Sequence, residues 1–185
     1  EAAKWLRDAA DLAEGSFAAA QIQGKLGELA FKRGDMEAAI ASYEQAMRLL
    51  ATSAQRSKGK FRYVFTRKLA SRQVERGQLA AAETTLKKLY DENPANLDVF
   101  RELSKVYVKL SKTDELRQRY RETIRAVKET ETDHLAMRQT IAELRQQMIE
   151  AFTQLHDYSS AIEQHIEIIN RNPDNVESVN AAIEY

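Results

Sequence analysis

Apolar residues recur along this chain at spacings of three and four. They are interrupted at short intervals by Gly-Asp, Gly-Gln, Ser-Lys or His-Asp, and that pattern predicts paired helices. The clearest pair surrounds Gly34-Asp35. Before this break, Ile22, Leu26, Leu29 and Ala30 share a helical face; after it, Met36, Ala39, Ile40, Tyr43, Ala46 and Met47 do the same. Gly34 suits the positive φ of a helix C-cap, and Asp35 offers an acceptor to the amides that open the next helix. The pattern predicts an antiparallel hairpin with almost no linker. Gly27, Ala30, Ala39 and Ala46 stand where its two helices come closest.

The same punctuation continues in both directions. Ala2–Glu14 predicts a short amphipathic helix with Trp5, Leu6, Ala9, Ala10 and Ala13 on one side. Gly15-Ser16 ends it, and Ser16 is placed to cap a helix from Phe17 to about Arg33. After Leu50 comes the polar stretch ATSAQRSKGK, expected to be a loop, with Thr52–Lys60 the most mobile internal part of the chain. A helix is expected from about Phe61 to Arg76 and another from Leu79 to about Glu92, stopped by Asn93-Pro94. Phe100, Leu103, Ser104 and Tyr107 open a third pair, turning at Ser111–Thr113 towards Leu116 and Tyr120. Thr132-Asp133 caps a long helix to about Leu155. His156-Asp157 breaks it, and Tyr158, Ala161, His165 and Ile168 lead to Asn172-Pro173. Val176–Tyr185 begins a further helix, for whose apolar Val176, Val179 and Ile183 cover is expected.

The small and large positions of the first hairpin resemble a tetratricopeptide (TPR) repeat, whose signature runs W-x2-L-G-x2-Y, then A-x3-F, then A, then P. Leu26-Gly27 matches L-G, Ala39 with Tyr43 matches A-x3-F, and Ala46 matches the later Ala. Gln23 stands for the Trp, Ala30 for the Tyr, and the closing Pro is missing. Leu69-Ala70, Gly77, Leu79, Ala82, Leu86 and Leu89 repeat the pattern, and there Pro94 closes it. The turn positions Gly34, Gly77, Ser111 and His156 are separated by 43, 34 and 45 residues. The middle interval equals the TPR period, and the other two are longer.

The resemblance implies an all-α, TPR-like α-solenoid of antiparallel helical hairpins, a right-handed superhelix with two lengthened repeats. It covers residues 1–185 as a single domain, with approximate repeats at 20–53, 63–96, 97–130 and 142–175. Residues 1–16 form a preceding or capping helix and 176–185 the start of another, so the chain is expected to be a piece of a longer protein. One hairpin cannot bury both faces of its helices, so neighbours must stack and share a core. Each Leu, Phe or Tyr buried at a junction contributes about 1.5–3 kcal/mol.

Composition narrows the function classes. With 43% hydrophobic and 30% charged residues, two prolines and six glycines, the chain suits a largely helical globular protein. No apolar run approaches the roughly 18 residues that span a bilayer. There is no cysteine, so disulfide and thiolate chemistry are excluded. His134, His156 and His165 carry no metal-ligand spacing, and there is no phosphate loop and no nucleophile elbow. Neither catalysis, a metal nor a cofactor is expected. His165 falls where the repeat places its packing aromatic, which predicts a core role.

Charge is neutral overall and uneven locally. Arg56–Arg76 holds eight basic residues against Glu75, whereas Glu129 to the end holds eleven acids and three basic residues. The resemblance implies binding of a peptide or helix in a concave groove lined by the first helix of each repeat. Carried over by position, the lining is Gln21, Gly24, Glu28 and Phe31, then Val64, Arg67, Ser71 and Val74. Asp98, Arg101, Lys105 and Val108 follow, then Glu143, Gln146 and Glu150. The partner-binding expectation centres on Phe31, Val64, Arg67, Ser71, Val74, Arg101, Lys105 and Val108. The partner is expected to be a protein or peptide, acidic or phosphorylated, or a second copy using the acidic fourth repeat. The carboxylate clamp that some TPR domains use is absent, because its places hold Gly24, Glu28, Lys68, Asp98 and Glu102. Two alternatives stand beside this scaffold function. One is a nucleic-acid-associated helical repeat using RSKGKFRYVFTRK; the other is a regulatory domain of a multidomain enzyme.

Overall fold

A computed structural model describes residues 2–13, 16–52, 58–171 and 176–184, and among these every regular element is an α-helix. In order they are α1 (Ala2–Leu12), α2 (Phe17–Lys32), α3 (Met36–Thr52), α4 (Lys58–Glu75) and α5 (Leu79–Glu92). They continue as α6 (Leu97–Lys109), α7 (Thr113–Thr130), α8 (His134–Gln154), α9 (Tyr158–Ile169) and α10 (Val176–Glu184). The chain forms two compact units, Glu1–Leu89 and Tyr90–Tyr185.

Four turns of one geometry join α2 to α3, α4 to α5, α6 to α7 and α8 to α9. At the first, the Gly34 amide donates to the Phe31 carbonyl at 2.9 Å and Asp35 to Ala30 at 3.0 Å. This is the Schellman arrangement, which satisfies the last carbonyls of the helix through one residue at positive φ. Gly77 with Gln78, Ser111 with Lys112 and His156 with Asp157 repeat the same two bonds. The φ values are 77° and 76° at the glycines, 54° at Ser111 and 57° at His156.

Helix starts are secured by side chains. Ser16 accepts from the Ala19 amide at 3.2 Å and Asp35 from Ala38 at 3.0 Å. Asp133 accepts from Leu135 and Ala136, as its sequence position predicts. Asn96 does the same for Val99, which sets the start of α6 at Leu97, three residues ahead of the aromatic that marks it in sequence.

In the first unit α2 packs on α3 and α3 on α4. Tyr43, Leu50, Phe65 and Leu69 form its core with Ala20, Ile40 and Ala46. Two glycines let this core close. A Cβ on Gly27 would stand 3.0 Å from the Tyr43 ring, and one on Gly24 would stand 2.3 Å from Phe65. In the second unit Tyr90, Phe100, Leu103, Leu116, Ile141, Leu144, Met148 and Phe152 are almost wholly enclosed. The Tyr90 hydroxyl donates to the Arg119 carbonyl at 3.0 Å and lies 2.9 Å from the Thr123 hydroxyl. Burial pushes the phenols of Tyr43, Tyr90 and Tyr120 up to about 12, so these core tyrosines remain protonated.

The repeat register is visible in the burial. Ala39, Ala82, Leu116 and Ala161 have no exposed surface, and the large positions Tyr43, Leu86, Tyr120 and His165 are all buried. Several expectations are corrected. α1 ends at Leu12, short of Glu14, which lies outside the described residues. α3 runs on to Thr52 and α4 begins at Lys58 instead of Phe61, so much of the expected loop is helical. Lys and Ser are compatible with a helix end, and the Phe17–Phe61 edge-on contact, at 5.3 Å, anchors the start of α4. The remaining residues of that loop, 53–57, lie outside the described residues, as do Gly15, Asn172-Pro173 and the Val176 side chain. Trp5, on the expected apolar side of α1, is 74% exposed, and Ile183 is 77% exposed. α10 packs on α9.

Candidate functional site

Consecutive first helices of hairpins are neighbours within each unit, and each such pair shares an open depression. In the second unit α6 supplies Arg101, Ser104, Lys105, Val108 and Lys109, and α8 supplies Gln147, Met148, Glu150, Ala151 and Gln154, around about 390 Å3. Buried Met148 and Ala151 form an apolar floor, and exposed Lys105, Lys109 and Glu150 form a charged rim. Arg101 lies 3.8 Å from Asp98. It also reaches across to α8: with the Gln147 amide oxygen turned towards it, its Nη2 donates at 3.0 Å.

In the first unit α2 and α4 share the corresponding depression, lined by Gln21, Gly24, Glu28, Phe61, Val64 and Lys68 among others. Here the charge is answered internally. Lys68 pairs with Glu28, and Lys25 lies 3.2 Å from the same carboxylate. The hydrogen bond from Lys68 leads the interactions that hold the Glu28 carboxyl below its ordinary range.

The structure therefore brings Arg101, Lys105 and Val108 together and sets Val64 in the other unit's depression. Arg67, Ser71, Val74 and Phe31 stand outside that depression. Arg67 lies over the Tyr63 ring at 5.4 Å and donates to its hydroxyl at 3.2 Å. Ser71 donates to Glu75. Phe31 is covered by the Arg72 guanidinium, 3.3 Å from its ring centre. On α8, Glu150 lines the depression, whereas Glu143 and Gln146 do not. Gln147, Met148, Ala151 and Gln154 take that role, a rotation of about one residue from the register the repeat implies. The apolar spacing Met148, Ala151 and Phe152 carries that signal, since the face of α8 turned to its neighbours follows its buried residues.

Part of the basic stretch is engaged within the unit. Besides Lys68, Arg72 pairs with Glu75 at 2.6 Å, and Arg76 pairs with Glu37. Of its aromatics, Phe65 is buried, and Phe61 packs against Phe17. His165 is 6% exposed, and burial lowers its pKa. Among the described residues no group of three His, Asp or Glu is placed to hold a metal, and no helix is long and apolar enough to cross a membrane.

Stacked hairpins with a common Schellman turn and a buried small–large register define an all-α, TPR-like helical repeat. Solved structures align over most of the chain. The MamA protein crystal structure is similar over 88% of this chain and 78% of that one, with a TM-score of 0.51 and 16% identity. A thermophilic TPR protein from Thermus thermophilus, TTC0263, aligns over 89% of this chain and 97% of its own, with a TM-score of 0.41 and 18% identity. MamA MSR-1 C2 aligns over 88% and 82%, with a TM-score of 0.45 and 15% identity. At these identities the likeness is one of fold. The sequence matches no family model and no curated protein.

Proposed function

We propose that this chain is a non-catalytic protein–protein interaction module, and that the face shared by α6 and α8 receives a segment of a partner protein. The observation that supports this most directly is the depression where Arg101, Lys105 and Val108 meet Met148 and Ala151. An apolar floor gives contact area, and a rim richer in lysine and arginine than in acid steers an acidic segment towards it. The basic stretch of the first unit gives no comparable support to nucleic-acid binding, because Lys68, Arg72 and Arg76 are engaged by carboxylates of the same unit.

The test is affinity capture with the wild-type protein and with the double variant R101E/K105E. Both positions are exposed, so the variant keeps its helical circular dichroism and melting temperature. It is expected to lose the protein partners held by this face, and those partners should dissociate from the wild type as salt is raised. Sedimentation of both proteins at low and high salt shows whether a second copy is the partner. A folded double variant that keeps every partner and its oligomeric state overturns the reading.

A further inference from the structure

The second unit carries another groove, on its other layer of helices, between α7 and α9. α7 places Arg117, Arg121 and Arg125 at four-residue steps, hence on one face and about 6 Å apart along the axis. Arg117 is structural. It donates to Asp157 at 2.6 Å, to Ser160 at 3.2 Å and to Asp114 at 3.0 Å, fastening α7 to the start of α9. Arg121 and Arg125 are exposed, and among the described residues neither makes an ion pair. The nearby acids of α7 are already engaged, Asp114 by Arg117 and Glu122 by Arg119 at 2.8 Å.

Beside this row two isoleucines reach the surface. Ile124 and Ile166 line a groove of about 380 Å3 above buried Tyr120 and Phe152, and Ile166 is 47% exposed. Arg145 lies beneath, 7% exposed. Its Nη2 donates to Glu167 at 2.8 Å, while its Nε has no acceptor among the described residues. Glu163 and Glu167 stand on the α9 wall, so the groove has one basic and one acidic side.

We propose that this groove docks an amphipathic helix of a partner protein, its apolar stripe on Ile124 and Ile166 and an acidic edge towards Arg121 and Arg125. The four-residue step of the arginines matches the step of acids along one edge of a helix laid beside α7. The two arginines, which make no ion pair among the described residues, supply the charge complementarity, and exposed Ile166 with half-buried Ile124 supplies the contact that a solvated charge row lacks. A polyanion such as nucleic acid fits less well, since its phosphates would meet Glu163 and Glu167 as well as the arginines. The docking surface is separate from the α6/α8 face and does not depend on it.

The test uses the whole chain and two labelled Ala-based peptides of identical composition. One has Glu at every fourth position beside a Leu stripe, and the other has the same residues permuted so that no edge is acidic. Fluorescence anisotropy is expected to show the ordered peptide binding about tenfold tighter or more, a difference of about 1.4 kcal/mol. R121E/R125E should lose that preference, and Ile166→Asp should weaken binding by a similar factor, with R101E/K105E unchanged. Should the charge reversal unfold the chain, R121Q/R125Q serves in its place. Equal binding of the two peptides overturns the proposal. So does binding that survives R121E/R125E, or that is lost only in R101E/K105E. Tighter binding of an oligothymidylate, abolished by R121E/R125E, overturns it in favour of a nucleic-acid site.

Discussion

The two units close their hairpins with the same hydrogen bonds but with different residues. All six glycines lie before residue 78. The first unit turns on Gly34 and Gly77, which adopt positive φ without strain. The second turns on Ser111 and His156, where a Cβ makes the left-handed conformation cost about 1–2 kcal/mol. The first unit also uses Gly24 and Gly27 to let Phe65 and Tyr43 approach α2. The second has no such close approach through glycine and fills Leu116 into the position that Ala39, Ala82 and Ala161 occupy elsewhere. The hairpin geometry is thus imposed by the packing of the repeat. Glycine makes it easier where it is present but is not required.

The largest test of this contrast is at that small position. Leu116→Ala should destabilise the second unit by about 2–5 kcal/mol, because its surroundings are built around a leucine and will not collapse fully. Ala39→Leu and Ala82→Leu should each cost the first unit about 1–3 kcal/mol by overpacking. Urea denaturation followed by circular dichroism measures both. If Leu116→Ala is tolerated as well as a surface change, the two positions are not equivalent.

Turn substitutions should have opposite signs in the two units. Gly34→Ala meets no atom within 4 Å, so its cost of about 1 kcal/mol is purely conformational. Ser111→Gly should relieve a comparable strain and raise the melting temperature, because Ser111 is exposed and already in that conformation. A stabilising Gly34→Ala would refute the assignment of strain.

Mild acid gives the smallest and most selective effect. Burial lowers the pKa of His165 in the folded state. Its contribution to stability is therefore complete above the unfolded value of about 6.5 and is lost as pH falls from there towards the folded value. The first unit contains no histidine. Between pH 7 and pH 5, hydrogen exchange should accelerate in α9 while α2 and α3 keep their protection. His165→Phe should remove the difference. At lower pH the depressed carboxyls act in the same direction. Glu28 is held low chiefly by the Lys68 hydrogen bond; at Asp157 burial opposes the shift, and bonds from Ser160 and Arg117 outweigh it. Their stabilisation is present above the ordinary carboxylate range and is lost as pH falls through their lowered values.

Much of the fold was legible because its signals are local. Ser16, Asp35 and Asp133 cap the helices they precede, Gly34 and Gly77 mark turns, and the three-and-four spacing of Ala39, Tyr43 and Ala46 sets a buried face. The start of α4 was less so, because a polar, lysine-rich stretch is compatible with loop and helix alike until Phe61 meets Phe17. The candidate interaction face was legible in part. Arg101, Lys105 and Val108 gather as their spacing on α6 requires, but the partners they meet on α8 depend on how that longer helix is rotated against its neighbour.

By itself, then, the sequence determined where helices begin, turn and bury a stripe, since capping, positive φ and apolar periodicity act over a few residues. Tertiary structure alone decided which charged groups remain available for a partner. Arg67, Lys68, Arg72 and Arg76 form a basic run in sequence, yet Tyr63, Glu28, Glu75 and Glu37 engage them. Arg121 and Arg125, in a helix of mixed charge, make no ion pair among the described residues. The physical reason is distance. An ion pair forms across a few ångströms of space, and the helix-to-helix packing that brings Lys68 to Glu28, forty residues apart, leaves no trace in the local pattern of either segment.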